Sequence, residues 1–169
     1  AHRNFEWMQA AANARGLRLR PHAKTHKSPI IARWQIERGA IGICCAKLGE
    51  AEVFAEAGIA DIRLPYPINP VNADRVIALL DRTKLSFIVD HPEVAKQWSE
   101  AMTRAGQQVE VLVKVDVGFH RCGIDPVPPQ AVAMIRGPTP RSNHSAQRRA
   151  ASSRLTCHMW HPRAPNATT

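Results

Sequence analysis

The chain has 169 residues, 44% of them hydrophobic, and a formal net charge of +9. That length suits one domain with a buried core; no segment has the apolar stretch of a signal peptide, and no run of about 18 apolar residues exists to span a membrane. The excess charge invites a nucleic-acid partner, but six arginines and no acid lie beyond Ile135, so the tail holds +6 of the +9 and the rest carries a near-balanced 17 basic and 14 acidic side chains.

The first predicted element is a helix over Asn4–Ala14, with Phe5, Met8 and Ala12 at helical spacing and Gly16 closing it. A strand follows over Leu17–Lys24. Ser28 and Pro29 are an N-cap and a first helical residue for a helix over Pro29–Arg38, which Gly39 ends. Strand Ile41–Lys47 leads to helix Gly49–Ala57, stopped by Gly58. Strand Asp61–Pro65 precedes helix Pro70–Leu80, which begins after Asn69; strand Leu85–Asp90 precedes helix Glu93–Ala105, closed by Gly106. The last strand, Val109–Val117, is nearly continuous in β-branched residues, as where both faces of a parallel sheet are covered. Five strands alternating with helices specify an α/β chain with a parallel sheet. On pattern alone an open doubly wound sheet and five units of a (β/α) barrel fit equally. A whole eight-unit barrel takes about 250 residues, so a barrel here is a partial one.

The pattern fails after Ile135. Residues 136–169 have no acid, few aliphatic residues and no period, and they cannot bury enough apolar surface to offset their ordering entropy. We expect residues 1–135 to form one domain and 136–169 to be a disordered basic tail, either a nucleic-acid arm or a frameshifted translation. The cysteines, at 44, 45, 122 and 157, show no C-x-x-C spacing and are expected to be reduced thiols of a cytoplasmic protein.

The chemistry concentrates in Arg20-Pro21-His22-Ala23-Lys24-Thr25-His26-Lys27, at the carboxyl end of the first predicted strand. Arg20, His22, Lys24 and His26 share one face for as long as that strand lasts, and ligands bind beyond the carboxyl ends of parallel strands. A lysine there is a candidate amine nucleophile, its pKa lowered by cations such as Arg20 or Lys27. A solvated basic loop explains the same residues equally well.

Leu19-Arg20-Pro21-His22-Ala23-Lys24-Thr25-His26-Lys27, then Gly42-Ile43-Cys44-Cys45-Ala46 and Gly49-Glu50-Ala51-Glu52, then Val115-Asp116-Val117-Gly118-Phe119-His120-Arg121-Cys122-Gly123-Ile124, together resemble the D-threonine aldolase and D-serine dehydratase-like family, pyridoxal-phosphate enzymes with an alanine-racemase-type N-terminal barrel. The resemblance runs from about Asn4 to Ile135. It implies a partial TIM-type barrel, pyridoxal 5'-phosphate as cofactor, a D-3-hydroxy amino acid as substrate, and either retro-aldol cleavage to glycine and an aldehyde or elimination of water; a non-catalytic cofactor-binding barrel is the alternative. It makes Lys24 the lysine that holds the cofactor covalently, preferred over Lys27 because Lys24 lies on the predicted strand. It sets Arg121 near the phenolic oxygen of the cofactor ring, the alternative for Arg121 being a salt bridge to Asp116 or Asp125. His22 either orients the cofactor or hydrogen-bonds a strand end, and so does His26. Tyr66 has no assigned part. The family also implies a divalent metal in a C-terminal domain whose ligand block does not occur here, and it allows a homodimer. A chain of this length is therefore expected to be a fragment, inactive by itself.

Overall fold

The computed structural model describes residues 1–126; the tail from residue 136 and the end of the expected domain lie outside them. Along the chain run helix α1 (His2–Asn13), α2 (Pro29–Glu37), strand β1 (Ile43–Cys44), α3 (Leu48–Glu56), β2 (Asp61–Pro67), α4 (Ala73–Leu80), β3 (Lys84–Val89), α5 (Pro92–Ala105) and β4 (Glu110–Val113). Every strand pair is parallel and the spatial order is β1-β2-β3-β4. Each crossover adds its strand on the same side as the one before. With right-handed crossovers this sets the connecting helices on one face of the sheet. A doubly wound sheet reverses its strand order at a switch point; the four described strands do not, and their order is that of consecutive units of a (β/α) barrel.

The helix boundaries follow the glycines. After α1, Gly16 N–H bonds to Asn13 O and Leu17 N–H to Ala12 O; after α5, Gly106 N–H bonds to Thr103 O and Gln107 N–H to Met102 O. This is the Schellman arrangement, in which a residue of positive φ turns the chain out of the helix, and Gly106 adopts φ +65°. The same pairs of bonds recur at Gly39 and Gly58. Ser28 caps α2 as its sequence suggests, its Oγ accepting from Ile31 N–H at 3.5 Å. The helix expected over Pro70–Leu80 starts with a 3-10 turn at Pro70–Asn72 before α4.

The strand expected over Leu17–Lys24 does not form. That segment runs beside β1, with Leu19 O accepting from Ile41 N–H just before the strand, Pro21 O accepting from Cys44 N–H within it, and one bridge, His22 to Cys44. Pro21 has no N–H to return to a ladder, and the chain then coils into a 3-10 turn at Ala23–Thr25. The segment is nevertheless the first stave of the barrel, with β1 to β4 the next four. Prolines also mark β2, where the register with β3 slips between Leu64 and Pro67.

The core lies between the sheet and its helices. Ile43, Ile62, Leu64, Leu85, Phe87, Val89 and Val111 point from the strands onto Phe54, Val76, Leu79, Trp98 and Met102 of the helices. Trp98 is buried, its ring centroid 4.7 Å from that of Phe87, and its indole N–H donates to Ile68 O at 2.9 Å. Each such side chain stabilises the fold by about 1.5–3 kcal/mol through burial. The helix side of the sheet is thereby committed to packing.

Candidate functional site at the carboxyl edge of the sheet

Residues that pair across the sheet share a face with their partners, and one level reads Cys44, Arg63, Ser86, Glu110 from β1 to β4. This is the inner side. Arg63 donates from Nε to Ser86 Oγ at 3.0 Å and from Nη2 to Glu110 Oε1 at 3.1 Å, and Lys84 Nζ stands 4.0 Å from Glu110 Oε2. At the amino end of β2, Arg20 binds Asp61 with both nitrogens, at 2.9 and 3.1 Å. A Cβ on Gly42 would collide with this pair, which is why a glycine stands there. Arg20 is thus neutralised at the opposite end of the sheet from the Lys24 turn. Its expected role as a cation acting on Lys24 is not supported, because the strand that was to align them is absent.

The Lys24 turn is built around Ala23, which is fully buried and fixes the turn to the core. His22 Nδ1 accepts from Lys24 N–H at 3.3 Å, Thr25 Oγ1 donates to His22 O, and Ala23 O accepts from both His26 N–H and Lys27 N–H. Lys24 therefore projects outward from a closed turn and is exposed. Among the described residues it makes no ion pair. Lys27, at φ +50°, is held 3.5 Å from Glu50 Oε1. The distinction between the two lysines thus comes from Glu50, not from a strand.

Glu50 also accepts from Ala46 N–H at 2.7 Å, and its carboxyl is held below the ordinary value by that amide and by Lys27, which together outweigh its burial. Sequence reasoning missed it; an acid in the first turn of a helix that follows a strand was the available signal. His22 titrates below its ordinary value, because burial and then the neighbouring Lys24 charge disfavour its protonation. With Nδ1 accepting an amide, neutral His22 carries its proton on Nε2. His26 turns inward, Nδ1 accepting from Ser28 N–H at 3.0 Å and its ring edge against Phe54.

Arg121 lies in the loop that follows β4. After Val113 the chain continues alongside β3 through Lys114 N–H to Val89 O, then loops out from Asp116 and returns at Ile124, which bridges Val115. Arg121 is exposed and its guanidinium carbon stands 5.5 Å from the centroid of the Phe119 ring. The Asp116 carboxylate goes to the amides of its own loop and to His120, not to Arg121. A pocket of about 240 Å³ is lined by Lys114, Asp116, Phe119, Arg121 and Cys122, among others. Lys24 and Arg121 therefore both lie beyond the carboxyl edge, on the first and fifth staves, which stand opposite one another in an eight-stave barrel. Tyr66 ends β2 half exposed. Burial pushes the Cys45 thiol up to about 12, as befits a packing residue.

Among the described residues no cluster of histidine, cysteine or carboxylate side chains forms a metal site, and no helix is long and apolar enough to cross a membrane.

Known proteins share this arrangement. The family model described as alanine racemase, N-terminal domain, matches residues 1–144. Over 125 residues the chain is 46% identical to the D-threonine aldolase of an Arthrobacter species, and over 123 residues 37% identical to the D-threo-3-hydroxyaspartate dehydratase of Delftia sp. (strain HT23); in both cases 72% of this chain and 32% of the relative are covered. The crystal structure of D-threonine aldolase from Filomicrobium marinum superposes with a TM-score of 0.76 at 33% identity, covering 92% of this chain and 40% of that one. The chain spans about a third of the length of the curated relatives it matches. Its sequential parallel staves, its outer helices and the match over residues 1–144 make it a member of the alanine racemase N-terminal domain family.

Proposed function

We propose that this chain is the cofactor-binding part of a pyridoxal-phosphate-dependent lyase acting on D-3-hydroxy amino acids, with D-threonine aldolase, which yields glycine and an aldehyde, as the best-supported activity. The observation that carries it is the 46% identity to an aldolase over 125 residues, higher than to the dehydratase relative. The free thiols of Cys44, Cys45 and Cys122 support a cytoplasmic location.

The groups present suit that cofactor. Lys24 offers an amine without an ion pair among the described residues, Arg121 a guanidinium not engaged by Asp116, and His22, two positions before Lys24, an imidazole whose pKa is lowered by burial. Bound pyridoxal phosphate supplies an electron sink for the charge that develops at the substrate's Cα. In this proposal the Lys24 amine binds the cofactor and moves a proton at Cα, and the Arg121 guanidinium holds negative charge on the phenolic oxygen. His22, with its Nε2–H, orients the ring. Glu50 keeps Lys27 occupied, so that only one of the two lysines is free to react.

A graft tests the activity. Residues 1–126 exchanged for the matching part of the Arthrobacter aldolase are expected to give a protein that releases glycine and acetaldehyde from D-threonine, and that loses this activity on Lys24→Ala. A folded graft that retains cofactor yet turns over neither D-threonine nor D-serine would contradict the lyase assignment and leave a cofactor carrier. Release of ammonia and a 2-oxo acid in place of glycine would assign the dehydratase reaction.

A further inference from the structure

Between Asp116 and Gly123 the loop that bears Arg121 exposes its large apolar side chains, Val117 at 88% and Phe119 at 78%, and only beyond it does buried Ile124 rejoin the core, bonded to Lys114 and Asp116. Within those ends, two carboxylates hold its backbone. At the entrance, Asp116 Oδ1 accepts from the amides of Gly118, Phe119 and His120 at 3.0, 2.9 and 3.1 Å, and Oδ2 is 3.4 Å from His120 Nδ1. These donors, the His120 amide first, hold the Asp116 carboxyl below its ordinary value. At the exit, Gly123 N–H donates to Oδ2 of Asp90 at 3.1 Å, across 33 positions of sequence. Asp90 directly follows β3, so this bond ties the loop to a packed strand. Gly123 has φ +123°, and a Cβ there would stand 2.5 Å from Asp116 N, so the two carboxylate sites are also in steric contact through the backbone. Hydrogen bonds to an ionised acceptor are the strong kind, and this loop is spanned by them from Asp116 to Gly123.

We propose that Asp90 and Asp116 are positioning residues for Arg121: Asp90 fixes the exit of its loop to the end of β3, and Asp116 folds the entrance. This rests on the role given above to Arg121 at the cofactor. Neither carboxylate touches Arg121 in the structure; each acts through backbone amides.

Two readouts on the 169-residue chain decide it. In the cofactor-free chain, Asp90→Ala is expected to speed hydrogen exchange of the amides at 118–123 and leave those of β3 and α5 unchanged, while Asp90→Asn, whose amide oxygen still accepts, keeps the protection. Asp116→Ala is a second, independent variant with the same expectation. In titrations with pyridoxal phosphate, Asp90→Ala should weaken binding about as much as Arg121→Ala, roughly tenfold, and the double variant should be no weaker than Arg121→Ala alone. Unchanged exchange at 118–123 in both alanine variants overturns the proposal, and so does an Asp90→Ala loss that is as large on the Arg121→Ala background as on the wild type. If the wild-type chain does not take up pyridoxal phosphate at all, the cofactor site fails, and the exchange pattern alone still decides whether the carboxylates hold the loop.

Discussion

The two faces of the sheet are made of the same four strands and do opposite things. On the helix side Ile43, Ile62, Leu64, Leu85, Phe87 and Val89 are buried against α3, α4 and α5. On the inner side Arg63 reaches across β3 to Glu110, and Arg20 grips Asp61. Apolar burial is non-directional and fills the outer layer with whatever volume fits. Half-buried charges must find specific partners, so the inner layer is a set of pairs. Lys24, which makes no ion pair among the described residues, and Arg121, which stacks on Phe119, lie beyond the carboxyl edge where neither face of the sheet covers them. The difference separates residues that keep the barrel wall together from the exposed residues at its carboxyl edge.

The largest effect should come from the outer face. Trp98→Ala removes a buried ring packed on Phe87 and its hydrogen bond to Ile68 O, and should destabilise by about 3–5 kcal/mol in denaturant titrations. Arg63→Ala on the inner face breaks bonds to Ser86 and Glu110 in a pair whose side chains are 28% and 23% exposed. That exposure screens the interaction, so the loss should be about 1–2 kcal/mol. A loss equal to that of Trp98→Ala would break the contrast between the faces.

Acid should act on the edge before the core. His22 has a folded-state pKa below its ordinary 6.5, so the folded chain binds fewer protons there than the unfolded chain does. Stability from this group is fully present above 6.5 and declines as the pH falls through and below that value. Glu50 and Asp116, both held below their ordinary carboxyl values, add the same sign of change at lower pH, as the solution falls below about 4.5 and 3.8. Melting temperatures measured from pH 7.5 to 2.5 should therefore fall in two stages, and His22→Asn should remove the first. The smallest stability effect belongs to Lys24→Ala, within about 0.5 kcal/mol, because an exposed side chain without an ion pair is lost.

The helix ends were readable in the sequence because their causes are local: Gly16, Gly39, Gly58 and Gly106 each close a helix through bonds spanning five residues or fewer. The parallel alternation of staves was readable for the same reason. The first strand was not, since Leu17–Lys24 has only the two-residue β1 to pair with and Pro21 in its middle. Partners distant in sequence decided the rest. The spacing puts Arg20 with Lys24, four positions on, but Asp61, 41 positions away, takes it. Glu50 and Asp90 matter through contacts with Lys27 and Gly123; the first-turn position of Glu50 was a local signal, whereas nothing local announces the bond of Asp90. His22, Lys24 and Arg121 were named from sequence blocks, and the structure puts all three at the carboxyl edge while replacing the stated reason for preferring Lys24.

The central claim is that Lys24 is the amine left free for a cofactor while Lys27 is held by Glu50. Incubating the chain with pyridoxal phosphate, reducing with borohydride and mapping the modified peptides tests it most directly. The account predicts label concentrated on Lys24, little on Lys27 in the wild type, and increased label on Lys27 in Glu50→Gln. Label spread evenly over the exposed lysines, and undiminished in total by Lys24→Ala, would contradict it.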